Sequence, residues 1–555
     1  MRNISIFKLS CFFLPILIAT PFALADLADD MDGAEKLYEA GNYVQAEQNF
    51  QNIINNADPN KPEELELAFQ ARRKLPLIYL ATDQRDQAQV SMEQLLTKHP
   101  THERLPHSVH AIVEQAKELG KTLQAGQVYQ NILEAQPKHP QAIWLKMGIA
   151  ITNAHLGNDQ AVDSALQNII SQHADDDRAA EALGQTAWAY RKLNQHEKAR
   201  KVYQYVVDNW PDKDRAIFSQ RGIILSSLKL GDQDAADAAA EQLVQNFSED
   251  KNIAKVLWTV ADVYKDKKDW ERMRPLCEYI LANHSSDEDA IWAQQALIFA
   301  CIDQQDVAGI DSGIQELFAK FTTHKGMPSA TYGTARKLNR INDATAQQLY
   351  QYIIDKHPDH EYIPFARVNL GQIKLRLGDE QGAEAIFQKV LTDYRDHPRL
   401  AEAVHLMAEG YWYKAFAEPR QNHQMTENAK ESLQKALAKW EVIITQFPVV
   451  PYTTANAHYL AGACCYRLGQ YEKAIEYFQK TVDSFPDYEK AWLAQNRIVK
   501  VYKFMIRDGI IPEREGEAAM TAAYQKLITN FPDCPIAGRA SKWLEIYAIS
   551  TEGGQ

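Results

Sequence analysis

The feature that most restricts what this chain can fold into is a pattern that returns about every 37 residues. It is clearest from Ala455 to Pro486. Tyr459 to Tyr466 read as an apolar helix, and Leu468-Gly469-Gln470-Tyr471 as a turn. Ala474, Phe478 and Thr481 then follow at i, i+4 and i+7, which places them on one face of a second helix. Phe485-Pro486-Asp487 closes the unit, because proline cannot continue a helix. Small residues at Gly462 and Ala474 let the two backbones approach, and Phe478 fills the space beside them. Neither helix buries its apolar stripe alone, so each hairpin needs neighbours. The same second-helix signature recurs as Gly41, Ala46, Phe50 and Pro59, as Ala88, Met92, Leu95 and Pro100, and as Gly120, Ala125, Tyr129 and Pro137. It returns as Ala199, Tyr203, Val206 and Pro211, as Gly378, Ala383, Phe387 and Val390, as Ala436, Trp440, Ile443 and Pro448, and as Tyr524, Leu527 and Pro532. Pro100 to Pro137 is one step of 37 residues and Pro137 to Pro211 is two; two more reach Ser248 and Ser285, in matching Asn-Phe-Ser and Asn-His-Ser corners. Weaker copies surround Leu166, Ala240, Cys277, Ile314 and Tyr350. The pattern predicts an all-α fold: an α-solenoid of about thirteen stacked helix-turn-helix repeats forming a superhelix.

A small residue in the first helix, glycine in the turn, alanine then an aromatic in the second helix and a closing proline together resemble the tetratricopeptide repeat. The long period, and corners such as Asn530-Phe531-Pro532-Asp533-Cys534-Pro535 and Asp393-Tyr394-Arg395-Asp396-His397-Pro398, resemble the variant found in bacterial envelope proteins of the outer-membrane assembly lipoprotein and Tol-Pal periplasmic partner type. The expected organisation is a leader over residues 1–25, an N-terminal array over 26–300 and, over 301–345, an irregular repeat that reads as a bend or a weak subdomain boundary and contains Gly326-Met327-Pro328. A C-terminal array over 346–535 and a capping helix with a tail over 536–555 complete it. Two repeats carry insertions between their helices, at Glu418 to Thr426 and Arg507 to Gly516.

The N-terminus reads as an export signal. Arg2 and Lys8 precede an apolar run from Leu9 to Ala19, and Ala23-Leu24-Ala25 offers a small-x-small cleavage site before Asp26. The run is shorter than the ~20 residues of a spanning helix, and no second one follows. Lys8, where a lipoprotein signal has an aliphatic residue, argues against lipidation at Cys11. The expected product is exported, with a bacterial periplasm favoured over secretion by five sparse cysteines that form no disulfide framework. A net charge of −13 with no basic run gives no surface for nucleic acid.

No motif of catalytic or metal-binding spacing is present, so neither enzymatic activity nor a cofactor is expected. Cys464 and Cys465 are adjacent in an apolar helix and read as core; Cys277 and Cys301 read as buried thiols, with a disulfide as the alternative. Asp30, Asp32, Gly33 and Glu39 match four points of a calcium loop but lack its first ligand at Ala28, and read as an acidic helix start. Asp175-Asp176-Asp177 reads as a solvated corner. In the family resembled, the first helix of each hairpin lines an inner groove. That resemblance puts Trp188, Arg191, Lys192, Tyr411, Lys414, Tyr466 and Arg467 on it, where aromatic and arginine side chains serve as anchors. The expected partners are proteins or peptides.

Overall fold

The computed structural model describes residues 27–173, 176–418, 425–448 and 450–552. The N-terminal leader, with Cys11, lies outside the described residues. Among the described residues there are twenty-seven helices and no strand. The chain divides into two compact units, Met1–Val260 and Ala261–Gln555.

In the first unit six hairpins follow one another. They are α1 (Leu27–Glu39) with α2 (Tyr43–Asn56), α3 (Pro62–Ala81) with α4 (Arg85–Lys98), and α5 (Leu105–Glu118) with α6 (Thr122–Ala135). Next come α7 (Ala142–Leu156) with α8 (Asp159–Gln172), α9 (Arg178–Lys192) with α10 (His196–Asn209), and α11 (Asp214–Leu230) with α12 (Gln233–Phe247). The two units divide within α13 (Ile253–Asp266). The second unit continues with α14 (Trp270–Asn283), α15 (Ala290–Asp303), α16 (Val307–Phe321), α17 (Met327–Leu338), α18 (Asp343–Lys356), α19 (Ile363–Arg376) and α20 (Glu380–Asp393). It ends with α21 (Leu400–Ala417), α22 (Glu427–Gln446), α23 (Pro451–Arg467), α24 (Tyr471–Ser484), α25 (Ala491–Arg507), α26 (Glu513–Asn530) and the single helix α27 (Ala537–Glu552). In chain order these are the thirteen hairpins and final helix that the period implies.

The period is written most strictly in the backbone. Asp83, Gly120, Gly157, Asn194, Gly231, Lys268 and Gln305 stand 37 residues apart, and each has a positive φ. This left-handed residue ends the first helix of a hairpin and reverses the chain. An Asp or Asn often follows it and caps the second helix. The Asp232 carboxylate accepts from the Ala235 amide (3.2 Å), Asp306 from Gly309 (3.0 Å) and Asp379 from Gly382 (2.9 Å). Such a cap satisfies an amide that the first turn leaves without a partner.

Close approach between helices is set by glycines facing rings. A Cβ at Gly462 would meet the Phe478 ring at 2.9 Å, and one at Gly371 the Phe387 ring at 2.3 Å, in each case within one hairpin. At Gly222 the ring is that of Tyr203, at 2.4 Å, which belongs to the preceding hairpin. First helices also pack on one another, α3 on α5, α5 on α7, α7 on α9 and α9 on α11, then α15 on α17, α19 on α21 and α21 on α23. In the second unit one contiguous core runs from Phe365 to Ala523 and includes Trp440, Phe478, Cys464 and Cys465. Cys277 and Cys301 are buried free thiols rather than a disulfide. Asp30, Asp32, Gly33 and Glu39 all lie within α1, which opens with Asp29 and Asp30 in its first turn.

Segment 301–345 holds the end of α15, all of α16 and α17, and the start of α18; α17, at 12 residues, is the shortest helix described. The stretch at Arg507 to Gly516 is a left-handed turn at Gly509 followed by the first residues of α26. Of the other insertion, residues 419–424 lie outside the described residues.

Replacing Gly371 by Val, which puts atoms where the Phe387 ring lies, is expected to destabilise by about 1–3 kcal/mol. Gly33→Ala, with open space around its Cβ position, is expected to stabilise α1 by about 0.5–1 kcal/mol. Hydrogen exchange in α19–α20 and in α1 reads the two locally, and equal effects would refute the close-approach account. Gln305→Gly, at a left-handed position, is expected to stabilise its hairpin by about 1 kcal/mol in the same measurement.

Candidate functional site

Within each unit first helices stack on one another, and their outward residues share a face. In the second unit that face holds a groove of about 1240 Å³ lined by the first helices of five successive hairpins, α15, α17, α19, α21 and α23. On α15, Trp292, Gln295 and Phe299 recur at i, i+3 and i+7, all half-buried. On α17, Ser329, Tyr332, Gly333 and Arg336 follow at i, i+3, i+4 and i+7, the first three half-buried and Arg336 exposed. Helical spacing therefore puts a ring or a long polar side chain at each turn of the groove wall. Tyr362 and Phe365 contribute from the start of α19, Arg399, Glu402, His405 and Leu406 from α21, and Tyr452, Thr453 and Asn456 from α23.

The rings are held firmly. Tyr332 stacks on Tyr362 with centroids 4.8 Å apart and planes 22° from parallel. Burial pushes the Tyr332 phenol up, so it stays neutral. The Trp440 indole N–H donates to His405 Nδ1 (3.3 Å), and Tyr488 donates to Asn456 (2.7 Å). Gln295 donates to the Ala330 carbonyl (2.8 Å), tying α15 to α17. Most charges are already paired. Arg399 makes two bonds to Glu402, at 2.9 and 2.7 Å, and lies over the Phe365 ring at 4.7 Å. That guanidinium holds the Glu402 carboxyl below its usual range. Lys337 pairs with Asp303 at 2.7 Å. Arg336 is exposed and has no carboxylate partner among the described residues. The groove thus offers aromatic walls, hydrogen-bonding amides and one free cation, an arrangement suited to holding a chain.

The residues singled out from the sequence distribute unevenly. Trp188 is half-buried on the first-helix face of the first unit, with its ring 4.3 Å from that of His110. Arg191 is half-buried beside it and Lys192 is exposed. Tyr466 is half-buried against Phe504 (5.4 Å), and Arg467 is exposed and lies over the Phe416 ring at 5.5 Å. Tyr411 is corrected: it is fully buried, and its hydroxyl donates to Glu384 at 2.7 Å. Lys414 is also corrected; it is half-buried and pairs with Glu380. Both point toward α20, where Lys435 and Lys439 of α22 bond the same two glutamates at 2.6 and 2.7 Å. The open face of α21 runs instead through Glu402, Leu406 and Tyr413, the last exposed beneath the Arg340 guanidinium at 4.3 Å. A shift of two residues turns a helix by about 200°, which is enough to exchange groove for core.

Sequence reasoning missed the groove residues Trp292, Phe299, Tyr332, Arg336 and Tyr452. The signal was present in the spacing of Trp292, Gln295 and Phe299, where polar and aromatic residues share a stripe beside an alanine-rich buried one. Among the described residues no helix is long and apolar enough to cross a membrane, and no group of His, Cys, Asp and Glu is arranged to hold a metal ion.

Comparison with known proteins bears on the repeats alone. Family models of the tetratricopeptide repeat match residues 178–213 and 365–397, and a second such model matches 455–488. No curated protein matches the sequence significantly. Among solved structures, yeast Tom70 aligns over 95% of this chain and 96% of its own at 10% identity, with a TM-score of 0.32. The structure of Naa15/Naa10 bound to HypK-THB aligns over 96% and 98% at 12% identity, also with a TM-score of 0.32. Agreement this low says nothing of what the present chain binds. The matched stretches coincide with α9–α10, α19–α20 and α23–α24, hairpins that share the left-handed turn described above, at Asn194, Gly378 and Gly469, and the chain therefore carries tetratricopeptide repeats.

Proposed function

We propose that the protein is an exported interaction scaffold that holds polypeptide partners on the first-helix face of its repeats. The observation that carries this reading is the groove across α15, α17, α19, α21 and α23, with its stacked tyrosines and Arg336, which has no carboxylate partner among the described residues. An extended segment lying across successive helices would place side chains against Trp292, Phe299 and Tyr332, while its backbone met the amides of Gln295 and Asn456. Few interface side chains carry most of the binding energy, and aromatic and arginine residues are the usual ones.

Export rests on the N-terminal sequence: Arg2 and Lys8, the apolar run to Ala19, and the Ala23-Leu24-Ala25 site. A narrower reading, a part in assembling or maintaining a bacterial envelope, is favoured by the 37-residue period, which the backbone turns keep over seven successive hairpins. It rests on resemblance between repeat variants, a weaker guide than the groove itself.

Two outcomes are expected. Crosslinking in native cells should capture the same partners with wild type and lose them with Arg336→Glu and with Tyr452→Ala, while thermal unfolding shifts by no more than about 0.5 kcal/mol, as for other surface changes. Partners retained by both variants would remove the groove from the interaction. Mass spectrometry of the native protein should find an N-terminus at Asp26; an acylated cysteine at Cys11 would overturn the unanchored product.

A further inference from the structure

The first unit carries a second feature that the groove of the second unit does not share. On α9, Gly184, Trp188 and Arg191 lie at i, i+4 and i+7; on α11, Arg215, Phe218 and Arg221 follow at three-residue steps. The two helices pack directly on each other, so these six residues meet on one first-helix face. Gly184 shows how closely. A Cβ there would fall 2.2 Å from Arg215 Nε, so the Arg215 side chain lies over the bare backbone of α9.

We propose that Arg191, Arg215 and Arg221 form a docking site for an extended, carboxylate-rich polypeptide segment, with Trp188 and Phe218 as its apolar flanks. The inference rests on the scaffold reading and names the partner chemistry for this unit.

Three observations carry it. All three arginines are half-buried, and Nε of both Arg191 and Arg215 is fully enclosed without a hydrogen-bond partner. Their only carboxylate among the described residues is Glu181, 3.5 Å from Arg215; no ion pair reaches Arg191 or Arg221. The neighbouring groups add no negative charge. Arg191 lies against the Tyr203 phenol, and Arg221 over the Phe218 ring at 5.3 Å. Burial, reinforced by the charges of Arg191 and Arg215, pushes the Arg221 guanidinium below its usual range. Like charges gathered in partial burial oppose folding. Among the described residues Glu181 is the one carboxylate that offsets that cost, and it does so at Arg215; an incoming carboxylate would extend the compensation to Arg191 and Arg221.

The chemistry also selects among anions. A guanidinium is a planar fork that receives a carboxylate through two parallel bonds. Trp188, with its ring against His110, and Phe218 border the cations with apolar surface. Side chains next to acidic residues in a peptide can cover that surface, while a free oxyanion leaves it wet. The chain as a whole carries a net charge of −13, so a cationic face stands out against its surroundings and steers acidic segments toward it.

The test uses the mature full chain and a dye-labelled peptide in which glutamates alternate with apolar residues. Its glutamine counterpart, inorganic phosphate and unlabelled protein serve as competitors. The glutamate peptide is expected to bind with an affinity that falls steeply with salt and to ignore the glutamine peptide. Arg191→Gln and Arg221→Gln should each weaken binding about tenfold, as for loss of a charge-assisted bond. The thermal midpoint of the unliganded Arg221→Gln protein should stay the same or rise, since a repulsive charge is removed; Trp188→Ala should weaken binding less. Equal binding of the glutamine peptide, or unchanged affinity in both arginine variants, overturns the site. Displacement by phosphate at the same concentration as by peptide overturns the polypeptide assignment, and displacement by unlabelled protein assigns the face to self-association instead. A fall in midpoint for both arginine variants makes the cluster structural and also overturns it. Loss of this site with native partners still crosslinking through Arg336 and Tyr452 defeats this inference alone; the reverse result defeats the groove of the second unit.

Discussion

Each helix in this chain has one apolar stripe and too little of it to stand alone, and that shortage organises everything else. A hairpin of about 37 residues spends its stripe partly on its own second helix and partly on the next hairpin. The glycine contacts show both halves of the arrangement. Gly371 and Gly462 admit rings from their own hairpin, whereas Gly222 admits Tyr203 from the one before. Each unit is therefore held by contacts between neighbouring hairpins, which in the second unit join into the contiguous core from Phe365 to Ala523. The left-handed turn residue, followed in several hairpins by an Asx cap, sets how the second helix leaves the first.

That alignment produces function as a by-product of packing. Once α15, α17, α19, α21 and α23 stand side by side, whatever each places one turn away from its buried stripe becomes part of one surface. The chain uses those positions for rings and cations instead of the Lys–Glu pairs seen on other faces. The contrast with α20 and α22 is instructive. There Glu380 and Glu384 receive Lys414, Lys435 and Lys439, and Tyr411 donates to Glu384, so polar groups find partners within the fold. On the groove face Arg336 finds none. A charge that the fold leaves unpaired is available to a ligand, and a charge that it pairs is not.

The hairpin count, the period and the buried aromatics such as Phe478 and Trp440 were legible in the sequence because they follow from spacing alone. The period survived even where its residue signal did not. Lys268 and Gln305 occupy the same left-handed position as Gly120 and Gly231, yet neither residue type announces a turn. Register was harder to read. Tyr411 and Tyr413 are two residues apart in an almost wholly apolar helix, and only the neighbours in α20 and α22 decide that the first is core and the second exposed. The richest part of the groove escaped notice for a related reason. Tyr332 and Arg336 sit on α17, whose shortness breaks the repeat signature that guided the reading elsewhere. At Gly326-Met327-Pro328, Met327 and Pro328 open α17 and Gly326 is its N-cap residue.

The two faces differ in how they treat charge, and the difference separates stability from use. In the second unit the cations near the rings are largely neutralised, by Glu402 for Arg399 and by Asp303 for Lys337, so that surface costs the fold little. In the first unit Arg191, Arg215 and Arg221 share a single nearby carboxylate. A fold selected for stability alone would replace one of them with an apolar side chain of similar length, as buried charges commonly can be. Glycine at 184 makes the point from the other direction, because a helix interior position that favours almost any other residue is kept bare where Arg215 crosses it. Helix propensity and charge repulsion both argue against this cluster, and the packing keeps it regardless. With Glu181 the one carboxylate paired to the three cations among the described residues, a partner's carboxylates would supply the attraction that outweighs their mutual repulsion, which is what the proposed binding role requires.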